Sequence, residues 1–231
     1  MRKLILAALI TASLFSFCAC GGDRSDNMQS TVEKAEAEVA PGPEIQPMSE
    51  EEIEKVEAAF SVMLGEPGEM VINPLNCFLM SYHDSPEEFD MAAFLRYFPG
   101  SEEGSEAEFE ALRALPGWTF ADLPSMADMP VPLRCYPGEK VRDALEKYAG
   151  LYMEDVDISP EAGVWYLPEY DAFYNYTSDF GLEQPDYYRG ERQGDVLRLW
   201  QDHPYEGERV LTVRELENGY RVIAHQKVEV E

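Results

Sequence analysis

The sequence predicts an α+β domain in which N-terminal helices pack on a C-terminal antiparallel meander sheet. Three observations predict it. Ser-x-x-Glu helix starts, Ser49 with Glu52 and Ser105 with Glu108, each precede apolar residues at helical spacing. From Val164 onward the pattern changes to short, strand-like runs. Asn218-Gly219 then joins two alternating runs and suits a type I′ hairpin turn. Helices followed by a run of antiparallel strands is the α+β order.

The first helix starts at Ser49 and carries Ile53, Val56, Phe60, Met63 and Leu64 on one stripe, with Gly65 as its stop. The apolar run 77–82, between Asn-Pro and Asp-Ser-Pro, predicts a buried strand. Ser85-Pro86-Glu87-Glu88 begins a second helix with Phe89, Phe94, Leu95 and Phe98 inside, ended by Pro99-Gly100. Ser105 begins a third, burying Phe109, Leu112 and Leu115. Acidic residues crowd the first turns of all three, where the helix dipole favours them. Residues 116–137 hold five prolines with scattered Trp118, Phe120, Leu123, Met126 and Met129 and follow neither period, which fits a binding loop or a loop that covers the core. Residues 131–136 allow a short strand. Val141, Ala144, Leu145 and Tyr148 give a fourth helix closed by Gly150.

Strands are predicted at 164–167 and 170–177, with a hairpin over 187–201 turning near Gln193-Gly194. In the last hairpin, Asn218-Gly219 as the turn would pair Glu217 with Tyr220, Val213 with Ala224 and Leu211 with Gln226. Leu211, Val213, Tyr220, Val222, Ala224 and Val228 then share the core face, and His225 falls on the solvated side opposite Thr212.

A length of 231 residues, 45% of them hydrophobic, suggests one domain plus terminal extras, or at most two small domains, and argues against global disorder. Its 45 acidic residues against 18 basic ones give a net charge of −27, which repels nucleic-acid phosphates and anionic headgroups and concentrates cations. Nucleic acid is therefore not an expected partner.

The first twenty-two residues carry the clearest functional signal. Arg2 and Lys3 open them, an apolar run spans 4–17, and Cys18-Ala19-Cys20-Gly21-Gly22 closes them. This is the layout of a secretory signal peptide, and 4–20 is short for a membrane span of about 20 apolar residues. Residues 17–22 resemble the lipobox of bacterial lipoproteins, in which a cysteine after a small residue becomes the lipidated mature N-terminus. Cys20, after Ala19, fits that position, with Phe17 where an aliphatic residue is usual. The resemblance covers the leader only. It implies a signal peptide over 1–19, lipidation of Cys20, and a domain held at the extracytoplasmic face of the cell membrane. Two acyl chains would hold it durably.

Residues 20–47 read as an acidic tether: from Gly21 to Pro47 there is no aromatic residue, too little apolar area to offset ordering entropy. As a coil it would reach about 30 Å, from about 5–6 Å times the square root of its length. The globular domain is then 48–231.

Motifs with chemistry fail in context. Asp179-Phe180-Gly181 lacks every other kinase element. Asp155, Asp157 and Ser159 begin like a calcium loop, but Pro160 and Tyr166 stand at its turn glycine and final glutamate. No cofactor or metal is expected. His83 and His203 adjoin Asp84 and Asp202, a weak hint of metal or acid-base work. Cys77 and Cys135 form either a disulfide, worth about 4 kcal/mol on chain entropy, or two buried thiols. Alternation over the strand at 170 places Tyr170, Tyr174 and Tyr176 on one face, with Asp171 and Asp179 nearby. Such a strip suits sugars, peptides or cations as a ligand site, or else forms the sheet's inner wall. The expected function is therefore a membrane-anchored lipoprotein domain that binds an extracytoplasmic ligand or protein without catalysis. A cell-envelope hydrolase acting on glycan or peptide is the alternative.

Overall fold

The structure is a computed structural model and describes residues 43–176 and 181–228. It is α+β. A five-stranded antiparallel sheet has the order β1-β8-β9-β10-β11, and a four-stranded one the order β4-β5-β7-β6. The first comprises β1 (Gln46–Pro47), β8 (Arg189–Gln193), β9 (Val196–His203), β10 (Gly207–Leu216) and β11 (Gly219–Lys227). The second comprises β4 (Glu102–Glu103), β5 (Arg134–Pro137), β6 (Trp165–Leu167) and β7 (Ala172–Asn175). The strands predicted at 164–167 and 170–177 thus leave the meander and build a sheet of their own. β1 pairs with β8 at the edge, where proline is tolerated, so the folded part begins before residue 48 and takes the end of the supposed tether.

Helix α1 (Glu50–Ala59) starts as the capping box predicts: Ser49 Oγ accepts from Glu52 N–H, and Glu52 accepts from Ser49 N–H. It ends at Phe60, short of Gly65. Its last carbonyls are taken by two buried asparagines from further along the chain. Asn73 Nδ2 donates to the Ala59 and Ser61 carbonyls, both at 2.8 Å, and Asn76 Nδ2 donates to the Phe60 carbonyl at 2.8 Å. Met63 and Leu64, predicted as helix, form the short strand β2 (Met63–Leu64) against β3 (Val71–Ile72).

The run read as a buried strand is a 3-10 turn, Asn76–Met80. Asn73 Oδ1 accepts from Leu75 N–H, and the N–H groups of Asn76, Cys77 and Phe78 reach the carbonyls three residues back. A short apolar run fits either conformation, and Asn73-Pro74 decides it by starting a turn. The second predicted helix is likewise divided. Pro86–Glu88 is a 3-10 turn, and α2 (Met91–Tyr97) has its own N-cap, Asp90, which accepts from Ala93 N–H. α3 (Glu106–Arg113) and α4 (Gly138–Tyr148) stand where predicted, the latter closed by Gly150 at φ +72°.

Two hydrophobic clusters result. The larger packs Phe60, Phe78, Phe94 and Leu145 against Leu197, Leu199, Leu211, Val213 and Val222 of the meander. The smaller gathers Phe109, Leu112, Trp118, Leu133 and Tyr174, and the loop 116–132 covers it with Phe120, Leu123, Met126 and Met129.

The last hairpin turns one residue earlier than predicted. Leu216 pairs with Gly219, so Glu217-Asn218 is the turn, and Tyr220 faces Glu215 rather than Glu217. The register then slips: Val213 pairs with Val222 but Thr212 with Ala224, leaving Ile223 as the bulged residue. Beyond the bulge the faces of β11 exchange. Ala224 pairs with Thr212 on the opposite face, where both are still buried, and His225, expected on the surface, turns inward opposite Leu211 and is 5% exposed.

Candidate functional site

The tyrosine strip does not survive as a surface. Tyr174 is buried in the smaller cluster and donates to Glu108 Oε1 at 2.6 Å. Tyr176 is half-buried, hydrogen-bonded to Thr119 and packed edge-on against Trp118 and Phe120. Tyr170 is 43% exposed but lies in the β6–β7 turn, off the strand. Asp171 is engaged in structure. Its carboxylate takes both Arg142 guanidinium nitrogens at 2.6 and 2.7 Å and the Tyr166 hydroxyl at 2.8 Å, which hold its pKa down to about 2. It also sits at φ +45° and accepts Gly138 N–H, where a β-carbon on Gly138 would strike its Oδ1 at 2.3 Å. Asp179 and Cys20 lie outside the described residues. Cys77 and Cys135 are free thiols in different clusters, and burial raises the first to about 12 and the second to about 11.

A different group of side chains converges at the end of the meander. Arg209 of β10 alternates with Leu211 and Val213, so the strand carries a guanidinium onto its core face. Arg209 is only 9% exposed. A buried cation needs partners, and two carboxylates supply them. Nη1 donates to Glu183 Oε2 at 2.6 Å and Nη2 donates to Glu206 Oε2. Glu206 also accepts the Tyr82 hydroxyl, and Glu183 Oε1 accepts His203 Nε2–H at 2.9 Å. His203 Nδ1 takes the Glu206 backbone N–H at 3.1 Å, which fixes its ring. The guanidinium lies 5.7 Å from the Tyr82 ring centre, and the Tyr82 and His225 rings are 4.9 Å apart.

Burial acts to raise the Glu183 carboxyl, but Arg209 and His203 outweigh it and hold the pKa below the ordinary value. The Tyr82 hydroxyl, with Arg209, does the same for Glu206. Tyr82 itself is raised to about 12 by burial and by its bond to Glu206. His225 is lowered to about 4, first by burial. Its Nδ1–H donates to the Ser81 carbonyl at 3.0 Å, and its backbone bridges His83 in both directions. Arg209, Glu183, Glu206, Tyr82 and His225 line a cavity of about 220 Å³ with Asn76, Met80 and Gln201. Among the described residues no group of three or more His, Cys, Asp or Glu is placed to hold a metal ion.

Asn76 ties the cavity to α1. Besides the Phe60 carbonyl it donates to the Glu183 carbonyl at 3.1 Å. Asn76→Ala leaves both without their side-chain donor. The expected loss is about 2–4 kcal/mol, about 1–3 kcal/mol for the buried Phe60 carbonyl left unpaired and about 1 kcal/mol for the part-buried Glu183 bond, read as a lower urea midpoint at unchanged slope.

Sequence reasoning missed Arg209, Glu183, Glu206 and Tyr82. One signal was available: in the alternation of β10, Arg209 is a charge on the face that Leu211 and Val213 assign to the core. Fold and site together define an α+β domain with a charged cavity built around a buried arginine. No protein-family model matches the chain, and no curated protein or solved structure matches it either.

Proposed function

We propose that this chain is a lipid-anchored lipoprotein of the extracytoplasmic membrane face whose domain binds a small polar ligand, without catalysis, in the Arg209 cavity. The observation that carries it is the buried guanidinium clamped by Glu183 and Glu206 at a cavity of about 220 Å³. The anchoring rests on the leader and on Cys20.

The hydrolase reading fares less well at this site. Glycoside hydrolysis needs one carboxyl group kept protonated as general acid. Glu183 and Glu206 are both shifted the other way and stay ionised.

A thermal-shift screen of the full chain against metal ions, sugars and envelope peptides tests the binding reading. A ligand at 100 times its Kd adds about 2.7 kcal/mol, which raises Tm by about 5–10 °C for a domain of this size. The rise is expected to vanish in Arg209→Met. A ligand whose effect survives that substitution places binding elsewhere. Anchoring is read separately: Cys20→Ser should free the protein from the membrane fraction, and a variant that stays membrane-bound contradicts the lipid anchor.

A further inference from the structure

The cavity wall commits several of its donors to itself. Both terminal nitrogens of Arg209 go to Glu183 and Glu206, and the Tyr82 hydroxyl also goes to Glu206. Both hydrogens of Asn76 Nδ2 go to backbone carbonyls. His225 gives its Nδ1–H to the Ser81 carbonyl, so its neutral ring carries a lone pair, not a proton, on Nε2. On the donor side there remain the Gln201 amide, the second hydrogen on each terminal nitrogen of Arg209, and Arg209 Nε, which is buried without a partner among the described residues.

The two carboxylates keep acceptor sites of their own. A carboxylate offers about four lone-pair sites, and Glu206 receives two bonds and Glu183 two. Both side chains are about half exposed, at 43% and 50%, so the unused sites are reachable. Charge points the same way. Two carboxylates face one guanidinium, in a chain whose net charge of −27 enriches cations around it. Tyr82 adds an aromatic ring that is 39% exposed.

We propose that the ligand of this cavity is a small organic ammonium, its N–H groups seated on Glu183 and Glu206 beside the Tyr82 ring. A neutral polyol could meet the acceptors but not the excess charge. A carboxylate or phosphate would add a third anion to a guanidinium whose single charge two carboxylates already outweigh. This deepens the binding reading above and rests on it.

The test is calorimetric titration of the full chain with three molecules of matched size: ethanolamine, ethylene glycol and glycolate. Ethanolamine is expected to bind at least tenfold more tightly than the other two, with affinity falling as salt rises. Glu206→Gln and Glu183→Gln should each weaken it by about 10- to 100-fold, the loss of one charge-assisted bond. Both side chains are half exposed, so these variants should fold; the salt dependence of the unaltered chain is a second readout that needs no variant. If ethylene glycol or glycolate binds best and Arg209→Met abolishes it, the ammonium class is overturned while the cavity stands. If ethanolamine binds but is indifferent to the glutamates and to salt, or if none of the three binds, the proposal is overturned outright.

Discussion

Acidification from pH 6.5 to pH 4 is expected to cost the domain about 3 kcal/mol through His225 alone. The imidazole pKa falls from 6.5 to about 4 on folding, because the ring leaves water for the space between Tyr82, Arg209 and the Ser81 carbonyl. Each unit is worth about 1.36 kcal/mol. The sign follows from proton counting. Between pH 6.5 and 4 the unfolded chain holds a proton that the folded one does not, so stability falls as the pH falls through that window and levels off below it. His83, also lowered by burial, adds in the same direction. The depressed carboxylates Glu183, Glu206 and Asp171 act lower, withdrawing their stabilisation as the pH drops below the ordinary carboxylate range. Urea unfolding at a series of pH values, compared with His225→Asn, isolates the effect. The variant should lose most of the slope between 6.5 and 4, and an unaltered chain equally stable at both ends would contradict the burial of this ring.

Phe94→Ala should have the largest effect of any single truncation considered, about 3–5 kcal/mol. Phe94 is fully buried on α2, and its ring meets Phe78 at 4.7 Å, Phe98 at 5.0 Å and Phe89 at 5.5 Å. Truncation removes one side of three aromatic pairs and leaves a cavity that rigid neighbours fill poorly. Against a total stability of about 5–15 kcal/mol, that is a large share. The damage should extend to the site. Phe78 belongs to the 3-10 turn Asn76–Met80, whose end also lines the Arg209 cavity. Thermal unfolding is expected to begin about 10–15 °C lower, and a loss under about 1 kcal/mol would mean that this aromatic cluster is not packed as described.

Helix starts were legible because their chemistry is local. Ser49 and Glu52, or Ser105 and Glu108, close their own hydrogen bonds within four residues. The end of α1 was not legible, because its carbonyls are capped by Asn73 and Asn76 from another stretch of chain. The last hairpin shows the same division. Its existence was clear from alternation, but its register depends on a bulge at Ile223 and on the His83–His225 bridge, which joins residues 142 apart in sequence. Tyrosine alternation correctly put Tyr174 and Tyr176 together, yet the face they share is the one Trp118 and Phe120 cover. The site followed suit. Arg209 could have been picked out within β10, whereas Glu183 reaches it from the segment before β8, and Tyr82 from the stretch that bridges β11 through His83.

The central claim is that the Arg209 cavity is where ligand binds, and the three histidines make it directly testable. His225 lines the cavity, His203 contacts its Glu183, and His83 lines a neighbouring depression with Asp84 and Glu88. Ring C–H resonances of the full chain, recorded by NMR during titration with ethanolamine, report on all three at once. The His225 and His203 signals should move along one saturable curve while His83 stays in place. A saturable shift confined to His83, or binding that leaves His225 unmoved, would contradict the assignment of the site.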